Sequence, residues 1–233
     1  MSSEPPLSIV DHDRSAGERT DPRAPLVPSI LLIDDDPEFR DSVARLLRTV
    51  GMETRQFSSV SDFFQADPPD GPTCLVLDVR MPGRSGLHLQ RELAAAKREL
   101  PIIFITAHAD VPMTVQAMKG GAIEFLTKPF RDQELLDAVE AGLARDRARR
   151  ERDRALAALR ERFDGLSSRE REVMLHVMAG RLNKQIAHDI GITESTVKVH
   201  RTNLMRKMKA RSLPELSRMA DILNLTPERP QSS

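Results

Sequence analysis

Residues 30–36 read Ile-Leu-Leu-Ile-Asp-Asp-Asp, four consecutive apolar residues that end abruptly in three carboxylates. A short, unbroken apolar run is typical of a strand that is buried on both faces of a parallel sheet. Apolar residues then recur at helical spacing between residues 43 and 50, until Gly51. This spacing indicates an amphipathic helix that packs against the strand.

The same pattern of strand and helix repeats along the next hundred residues. Four further strands are predicted at residues 54–57, 74–77, 101–105 and 123–126, of which the first is the weakest. Strands that alternate with helices in this way predict an α/β fold, a doubly wound, five-stranded parallel sheet with helices on both faces. Ligands of such sheets bind beyond the carboxyl ends of the strands.

Polar side chains stand at those strand ends. Asp34 and Asp35 follow the first strand, Asp78 the third, Thr106 the fourth and Lys128 the fifth. Three carboxylates at one edge repel one another unless a cation neutralises them, and oxygen ligands favour Mg²⁺. A lysine suits a phosphoryl oxygen, and a carboxylate can act as the nucleophile that forms an aspartyl phosphate. The set therefore indicates phosphoryl transfer, although a single Asp at a strand end is often only a turn or cap residue.

Composition and charge exclude several classes of protein. The one cysteine, Cys74, excludes an intrachain disulfide and a multi-cysteine metal site. No apolar stretch approaches the roughly 18 residues of a membrane span, and the N-terminus lacks a signal core. We therefore expect a cytoplasmic protein with no membrane partner. Residues 1–27 are rich in proline and charge, which predicts a disordered tail. We expect residues 229–233 to be a second, short tail.

The charge is unevenly distributed along the chain. Residues 28–140 carry 12 basic and 18 acidic groups, whereas residues 166–233 carry 12 basic and 7 acidic groups. This asymmetry predicts that nucleic acid binds to the second half. Residues 143–165, rich in Ala, Arg, Glu and Leu, predict a helical linker. Its narrow apolar stripe leaves two interpretations open, a solvated spacer or a short coiled coil between two protomers.

The segment 166–228 predicts an all-α domain of four short helices. Ser167 and Glu170 form a capping box at the start of the first helix, and Gly191 makes a tight turn between the second and the third. This arrangement matches a helix-turn-helix, whose third helix enters the major groove of DNA. The residues expected to contact DNA are Lys184, Thr196, Lys198, Val199, Arg201, Thr202, Arg206 and Lys207, with Lys209 as a further phosphate contact.

Four motifs in the first half resemble the receiver domain of two-component response regulators, a flavodoxin-like domain. They are residues 32–37 (Leu-Ile-Asp-Asp-Asp-Pro), 77–83 (Leu-Asp-Val-Arg-Met-Pro-Gly), 105–107 (Ile-Thr-Ala) and 125–130 (Phe-Leu-Thr-Lys-Pro-Phe). The resemblance implies a receiver domain over residues 28–142 with Asp78 as the phosphoacceptor. It also implies further roles: Mg²⁺ ligands at Asp34, Asp35, Asp78 and the main-chain carbonyl of Arg80, phosphoryl binding by Lys128, and switch residues Thr106 and Phe125. Asp36 is interpreted as an exposed neighbour of Asp34 and Asp35.

The second half resembles a LuxR-type helix-turn-helix in residues 166–173, 183–187 and 196–201. With the receiver, this places the chain among FixJ/NarL-family regulators, in a FixJ-like branch. The family implies a transcription factor that a sensor histidine kinase phosphorylates, and whose only catalysis is its own phosphorylation and dephosphorylation. It further implies a homodimer on double-stranded promoter DNA that acts on RNA polymerase. Whether the unphosphorylated receiver masks the DNA-binding domain stays open.

Two other functions compete with this interpretation. A phosphatase of the haloacid dehalogenase type needs an Asp-x-Asp-x-Thr/Val motif, but residues 34–38 end in Glu38 and no cap domain is visible. A phosphorelay or adaptor protein would use the C-terminal bundle to bind protein instead of DNA. Turnover of small phosphate esters tests the first alternative, and salt-dependent DNA binding tests the second.

Overall fold

A computed structural model describes residues 27–225 of the chain. The tails predicted at residues 1–27 and 229–233 therefore lie outside the described residues, apart from Val27. Within residues 27–225, no helix combines the length and the apolar character needed to cross a membrane.

The first half forms a five-stranded parallel sheet in the order β2-β1-β3-β4-β5, which confirms the predicted fold. Its elements are β1 (Ser29–Ile33), α1 (Pro37–Thr49), β2 (Glu53–Phe57), α2 (Val60–Gln65), β3 (Thr73–Asp78), α3 (Gly86–Ala95), β4 (Ile102–Thr106), α4 (Val111–Lys119), β5 (Glu124–Thr127) and α5 (Asp132–Asp164). Residues Ile33 and Leu77 are in register, as are Asp78 and Ile105. This register brings the carboxyl ends of the central strands to one edge.

The central strands are apolar because both of their faces are covered. Every residue of β1, β3 and β4 is buried, and alternate residues belong to two core clusters on opposite faces of the sheet. Strand β2 pairs on one side only and is partly exposed, which explains its weak apolar pattern.

Helix α1 begins where the chain leaves β1. Asp36 is its N-cap, with Oδ1 accepting hydrogen bonds from the backbone N–H groups of Glu38 and Phe39 at 2.9 and 3.2 Å. Pro37 occupies the first helical turn, where its missing N–H group costs nothing. Asp36 therefore has a structural role, beyond the exposed neighbour that the sequence suggested.

Helix α5 continues for 33 residues from the receiver into the second half of the chain. The predicted linker at residues 143–165 is helical, but it is the continuation of α5 and not a separate element. Leu135 and Val139 pack in the core of the sheet domain, whereas Leu159 and Phe163 pack in the core of the C-terminal domain. Part of the predicted apolar stripe is therefore buried within one chain.

A buried carboxylate fastens the middle of α5 to the sheet. Asp146 is fully buried and accepts a 2.9 Å hydrogen bond from the backbone N–H of Thr73, the first residue of β3. Arg149 and Arg150 donate to its two oxygens at 2.6–3.0 Å. Arg150 also donates to the carbonyl of Asp70 at 2.7 Å. Helical spacing places Asp146 and Arg150 on one face of α5, but it does not show that this face is buried.

The C-terminal domain consists of α6 (Ser168–Met178), α7 (Asn183–Ile190), α8 (Glu194–Met208) and α9 (Leu213–Ile222). The capping box of Ser167 and Glu170 is present at the start of α6, as predicted. Gly191 ends α7 with φ at 70°, a left-handed conformation that favours glycine. The turn between α7 and α8 is thus the tight turn of a helix-turn-helix, which confirms the predicted fold of this half.

Candidate phosphoacceptor site and DNA-binding face

Three carboxylates converge at the carboxyl edge of the sheet. Asp34, Asp35 and Asp78 each offer an oxygen within 4.8 Å of the others. Asp34 is fully buried and Asp78 nearly so, whereas Asp35 is exposed. The positions of these residues at the strand ends predicted this grouping. Because Asp35 is exposed and the other two carboxylates are buried, the cluster opens to solvent on the Asp35 side.

Lys128 joins the two buried carboxylates. Its Nζ lies 2.6 Å from Oδ2 of Asp34 and 3.1 Å from Oδ2 of Asp78. Burial opposes the charged ammonium, but hydrogen bonds to the two carboxylates outweigh it and raise the pKa of Lys128. For Asp34, burial outweighs the hydrogen bond from Lys128, so the pKa of this carboxyl lies above its usual range. Nearby Asp78 adds to this rise by charge repulsion.

Backbone groups fix the other oxygens of the two acids. The N–H of Asp36 donates to Oδ1 of Asp34 at 2.9 Å, and the N–H of Arg80 donates to Oδ1 of Asp78 at 2.8 Å. Arg40, in the first turn of α1, donates from Nη1 to the carbonyl oxygen of Asp34 at 2.6 Å. The backbone of Arg80 therefore lies beside the Asp78 carboxylate, and Arg40 holds the backbone of Asp34, a contact that the sequence did not reveal.

Gly86 allows α3 to approach the backbone of Asp78 closely. A Cβ atom at this position would lie 2.4 Å from the carbonyl oxygen of Asp78 and 3.0 Å from the side chain of Leu77. The N–H of Gly86 donates to the carbonyl of Val79 at 3.0 Å. A larger residue at position 86 would displace the backbone of Asp78, because a separation of 2.4 Å between its Cβ and the carbonyl oxygen is shorter than a van der Waals contact.

The two predicted switch residues lie on neighbouring strands. Thr106 ends β4 with 1% of its surface exposed, and its Oγ1 accepts a 3.2 Å hydrogen bond from the N–H of His108. Phe125, in β5, is half-buried, and its ring centroid lies 6.2 Å from that of Phe104. Thr106 therefore lies at the same edge as the carboxylates, and Phe125 packs one strand further from them.

Phe39 is a further residue at this edge that the sequence did not single out. It lies in the first turn of α1, and the Nζ of Lys128 lies 3.6 Å from the centroid of its ring. The ring also meets Phe130 edge to face, with centroids 6.1 Å apart. The sequence signal was limited to a single aromatic residue at an otherwise polar helix start.

The donor set fits a hard divalent cation. Three carboxylates against one ammonium carry a formal excess of two negative charges, which one divalent ion would balance. All the side-chain donors in the group are oxygens, which Mg²⁺ prefers over nitrogen or sulfur ligands. The arrangement is therefore consistent with the predicted magnesium site.

Helix α8 presents a polar face to solvent. Its buried side chains are Val197, Leu204 and Met208, and the exposed positions between them include Lys198, Val199, Thr202 and Arg206. Lys184, on α7, is also exposed, and Thr196 is half-buried with its Oγ1 2.8 Å from Oγ1 of the N-cap Thr193. These positions share the outer side of the helix-turn-helix, where DNA contacts were predicted.

Two of the predicted DNA contacts are engaged within the protein. Lys207 Nζ lies 2.6 Å from Oε2 of the buried Glu170 and donates to the carbonyl of Gly165 at 3.2 Å. Arg201 Nη1 donates to Oδ1 of Asn183 at 2.9 Å, which ties α8 to α7. The bond made by Arg201 helps to fix the angle between α7 and α8. Because its ammonium is bound within the domain, Lys207 is not placed to contact a phosphate directly. The basic run at residues 206–209 had suggested otherwise, because charge alone does not show which side of a helix faces inward.

Comparison with known proteins agrees with both halves of the chain. Residues 30–140 match the response regulator receiver domain, and residues 164–220 match the bacterial regulatory proteins of the luxR family. Nodulation protein W of Bradyrhizobium diazoefficiens is 52% identical over 197 residues, which cover 84% of this chain and 87% of that protein. The chain is a response regulator. It pairs a receiver domain with a LuxR-type DNA-binding domain, and its family consists of transcription regulators.

Other relatives of this response regulator share its full two-part organisation. Transcriptional regulatory protein FixJ of Azorhizobium caulinodans is 45% identical over 196 residues, 84% of this chain and 93% of that protein. Among solved structures, the response regulator StyR superimposes with a TM-score of 0.77 at 47% identity, covering 84% of this chain and 98% of that one. The receiver implies a histidine kinase as partner, and the LuxR-type domain implies DNA.

Proposed function

We propose that this response regulator is switched by phosphorylation of Asp78 and that the phosphorylated form binds promoter DNA as a homodimer. The observation that carries the proposal is the position of Lys128, whose ammonium contacts the Asp78 carboxylate within the acidic cluster. A carboxylate nucleophile beside a cation, at the open edge of a parallel sheet, suits phosphoryl transfer from a sensor histidine kinase.

The chemistry requires one bond to form and one to break at phosphorus. A carboxylate oxygen of Asp78 attacks the phosphoryl group of a kinase phosphohistidine, and the P–N bond breaks as the P–O bond forms. Lys128 exchanges one carboxylate contact for a phosphoryl oxygen, and the Thr106 hydroxyl donates to another. Attack by water on the aspartyl phosphate then releases inorganic phosphate and restores the carboxylate, which is the extent of catalysis that we propose.

Asp34, Asp35 and Asp78, with the main-chain carbonyl of Arg80, would hold Mg²⁺. When bound, the ion supplies positive charge that lowers the repulsion between the carboxylates and an incoming phosphoryl group. The charge excess of the cluster and its oxygen-only side chains support this assignment.

Phosphorylation would then act through the face that Thr106 and Phe125 adjoin. On α4, exposed apolar side chains lie at helical spacing along one face: Val111, Val115 and Met118 are 76%, 44% and 42% exposed. Movement of Thr106 toward the phosphate leaves space into which Phe125 turns, and this change adjusts α4 for pairing with a second receiver. Pairing brings two DNA-binding domains to adjacent half-sites, which raises affinity through effective concentration.

On DNA, the exposed positions of α8 would read the major groove. Lys198 reaches a base acceptor or a phosphate, Val199 (58% exposed) meets a thymine methyl group, and Thr202 lies one turn further along the same face. Lys184 and Arg206 neutralise phosphates, and Thr196 adds a phosphate hydrogen bond. Contact of the bound dimer with RNA polymerase would complete the regulatory function.

The test compares wild type with Asp78→Asn, and with Asp67→Asn as a matched control on the exposed loop after α2. Each protein is incubated with acetyl phosphate and Mg²⁺, and phosphorylation, oligomeric state and binding to selected genomic DNA fragments are measured. We expect wild type and the control to become phosphorylated, to dimerise and to bind DNA more tightly, and Asp78→Asn to do none of these. A response of Asp78→Asn to the phosphodonor would refute the proposal, and DNA affinity independent of salt would favour an adaptor role.

A further inference from the structure

We propose that Phe39 is a positioning residue for phosphoryl transfer, whose ring face holds the Lys128 ammonium in place through a cation–π contact. The inference rests on the proposed function of Asp78 and Lys128, and it assigns a role to a residue outside the motifs that identify the receiver. Its basis is the distance of 3.6 Å between the Nζ of Lys128 and the centroid of the Phe39 ring.

The contact completes the surroundings of the ammonium. Two carboxylates, of Asp34 and Asp78, lie at 2.6 and 3.1 Å, and the ring of Phe39 covers a further side. An aromatic face carries negative electrostatic potential, so it attracts a cation that lies within about 6 Å of its centroid. The ring achieves this without a formal charge.

The absence of a formal charge matters for the reaction. A third carboxylate next to Lys128 would compete with the phosphoryl group for the ammonium and would add negative charge to an acidic site. A ring holds the ammonium but leaves its charge available to a phosphoryl oxygen. A lysine side chain has a flexible four-carbon stem and loses conformational entropy when it is fixed. A rigid ring beside the ammonium therefore favours its position near the carboxylates over positions in solvent.

The ring of Phe39 is itself held in place. Asp36, the N-cap of α1, accepts a hydrogen bond from the backbone N–H of Phe39 at 3.2 Å. Phe130 packs edge to face on the ring, at an interplanar angle of 89°. Phe39 remains only half-buried at the rim of the core. Packing alone would not require an aromatic residue there, because an aliphatic side chain could also cover this part of the core.

The decisive experiment lowers the electron density of the Phe39 ring while its shape stays nearly constant. Phenylalanine analogues with one, two and three ring fluorines are incorporated at position 39 of the full chain, and the rate of phosphorylation by acetyl phosphate with Mg²⁺ is measured. Fluorine withdraws electron density from the face, so we expect the rate to fall stepwise, by about five- to tenfold for the trifluorinated ring. The same series at Phe64, which is 41% exposed on α2, is expected to leave the rate unchanged.

Natural substitutions and a spectroscopic signal complete the test. Phe39→Tyr is expected to retain the rate and Phe39→Leu to lose about tenfold. Without Mg²⁺ or phosphodonor, ring-current shifts should move the ε-methylene protons of Lys128 upfield in the NMR spectrum of wild type but not in that of Phe39→Leu. The fluorinated series remains informative if Phe39→Leu folds poorly.

The outcomes separate this inference from the proposed function. A wild-type protein that is phosphorylated at Asp78, with equal rates across the fluorinated series, would overturn the role of Phe39 and leave the switch intact. Absence of the upfield shift in the wild type would also overturn it. A wild type that acquires no phosphoryl group at Asp78 would overturn both.

Discussion

Replacing Asp146 by Asn removes the charge that fastens α5 to the sheet while keeping the size of the side chain. The buried carboxylate accepts from the backbone of Thr73 and from Arg149 and Arg150. An amide offers one acceptor oxygen and places a donor where the second oxygen stood, so the two donors bound to that oxygen lose their partner. Arg150 also loses its carboxylate partner, and Arg149 keeps only the exposed Asp153.

The magnitude follows from the burial of the three groups. Removal of one partner from a fully buried ion pair costs about 3–5 kcal/mol. The guanidinium side chains of Arg149 and Arg150 are 24% and 25% exposed, and Arg150 keeps the carbonyl of Asp70, so water and this bond offset part of the loss. We therefore expect Asp146→Asn to lower the free energy of unfolding of the receiver by about 2–3 kcal/mol.

Urea unfolding followed by far-UV circular dichroism measures this effect, with Asp153→Asn as the matched control. Asp153 pairs with the same Arg149 at 3.0 Å, but its side chain is 63% exposed. An exposed pair contributes about 0–1 kcal/mol, so the control should be close to wild type. Equal losses in the two variants would refute the argument that burial determines the strength of the contact.

The pH dependence supplies a second check on the same residue. Burial opposes ionisation of Asp146, but hydrogen bonds from Arg150, Arg149 and the Thr73 backbone outweigh it and lower its pKa. A carboxyl whose folded-state pKa is depressed contributes stability above its unfolded value, near pH ~3.9, and loses it as the pH falls through the folded value. The difference between wild type and Asp146→Asn should therefore be constant from about pH 5 to 8 and shrink below about pH 4.

Three further predictions concern packing and charge elsewhere. Gly142→Ala places a Cβ 2.5 Å from Sγ of Cys74, so it should lower the melting temperature, at a cost of about 1–3 kcal/mol, and Cys74→Ala should restore part of it; additive effects would contradict this. Burial, with the nearby Asp146 carboxylate, raises the pKa of Cys74 to about 12, so iodoacetamide should label it only as fast as the protein unfolds, and rapid labelling of the native form would count against the structure. Lys207→Met should destabilise the C-terminal domain by about 1–3 kcal/mol and leave the dependence of log DNA affinity on log salt concentration unchanged. Lys198→Met should instead reduce the slope of that dependence by about one. A reduced slope for Lys207→Met would show that Lys207 does contact phosphate.

The sheet and the grouping of polar residues at its carboxyl edge were predictable because their signals are local. Each central strand is an apolar run that ends in a polar residue, and parallel strands bring those ends together whatever the loops do. Asp34, Asp78 and Lys128 could therefore be grouped from the sequence alone. The edge strand β2 gave a weaker signal because only part of it is buried.

Long-range partners were not predictable from pattern. The burial of Asp146 depends on Thr73, a residue 73 positions away, and helical spacing shows only that Asp146 and Arg150 share a face. The sequence grouped Lys207 with its basic neighbours. In the structure its side chain points inward, beside the buried Met208, and binds Glu170. Asp36 could have been recognised, since Asp followed by Pro is a typical helix start.

The continuity of α5 makes the spacing between the two domains a matter of rotational phase. At about 1.5 Å and 100° per residue, its 33 residues form a rod roughly 50 Å long. One residue inserted in the exposed stretch 151–155 would turn everything beyond it by about 100°, whereas seven would return it to within about 20° of its original azimuth. A change in the length of this connection therefore also changes the direction in which α8 points relative to the receiver.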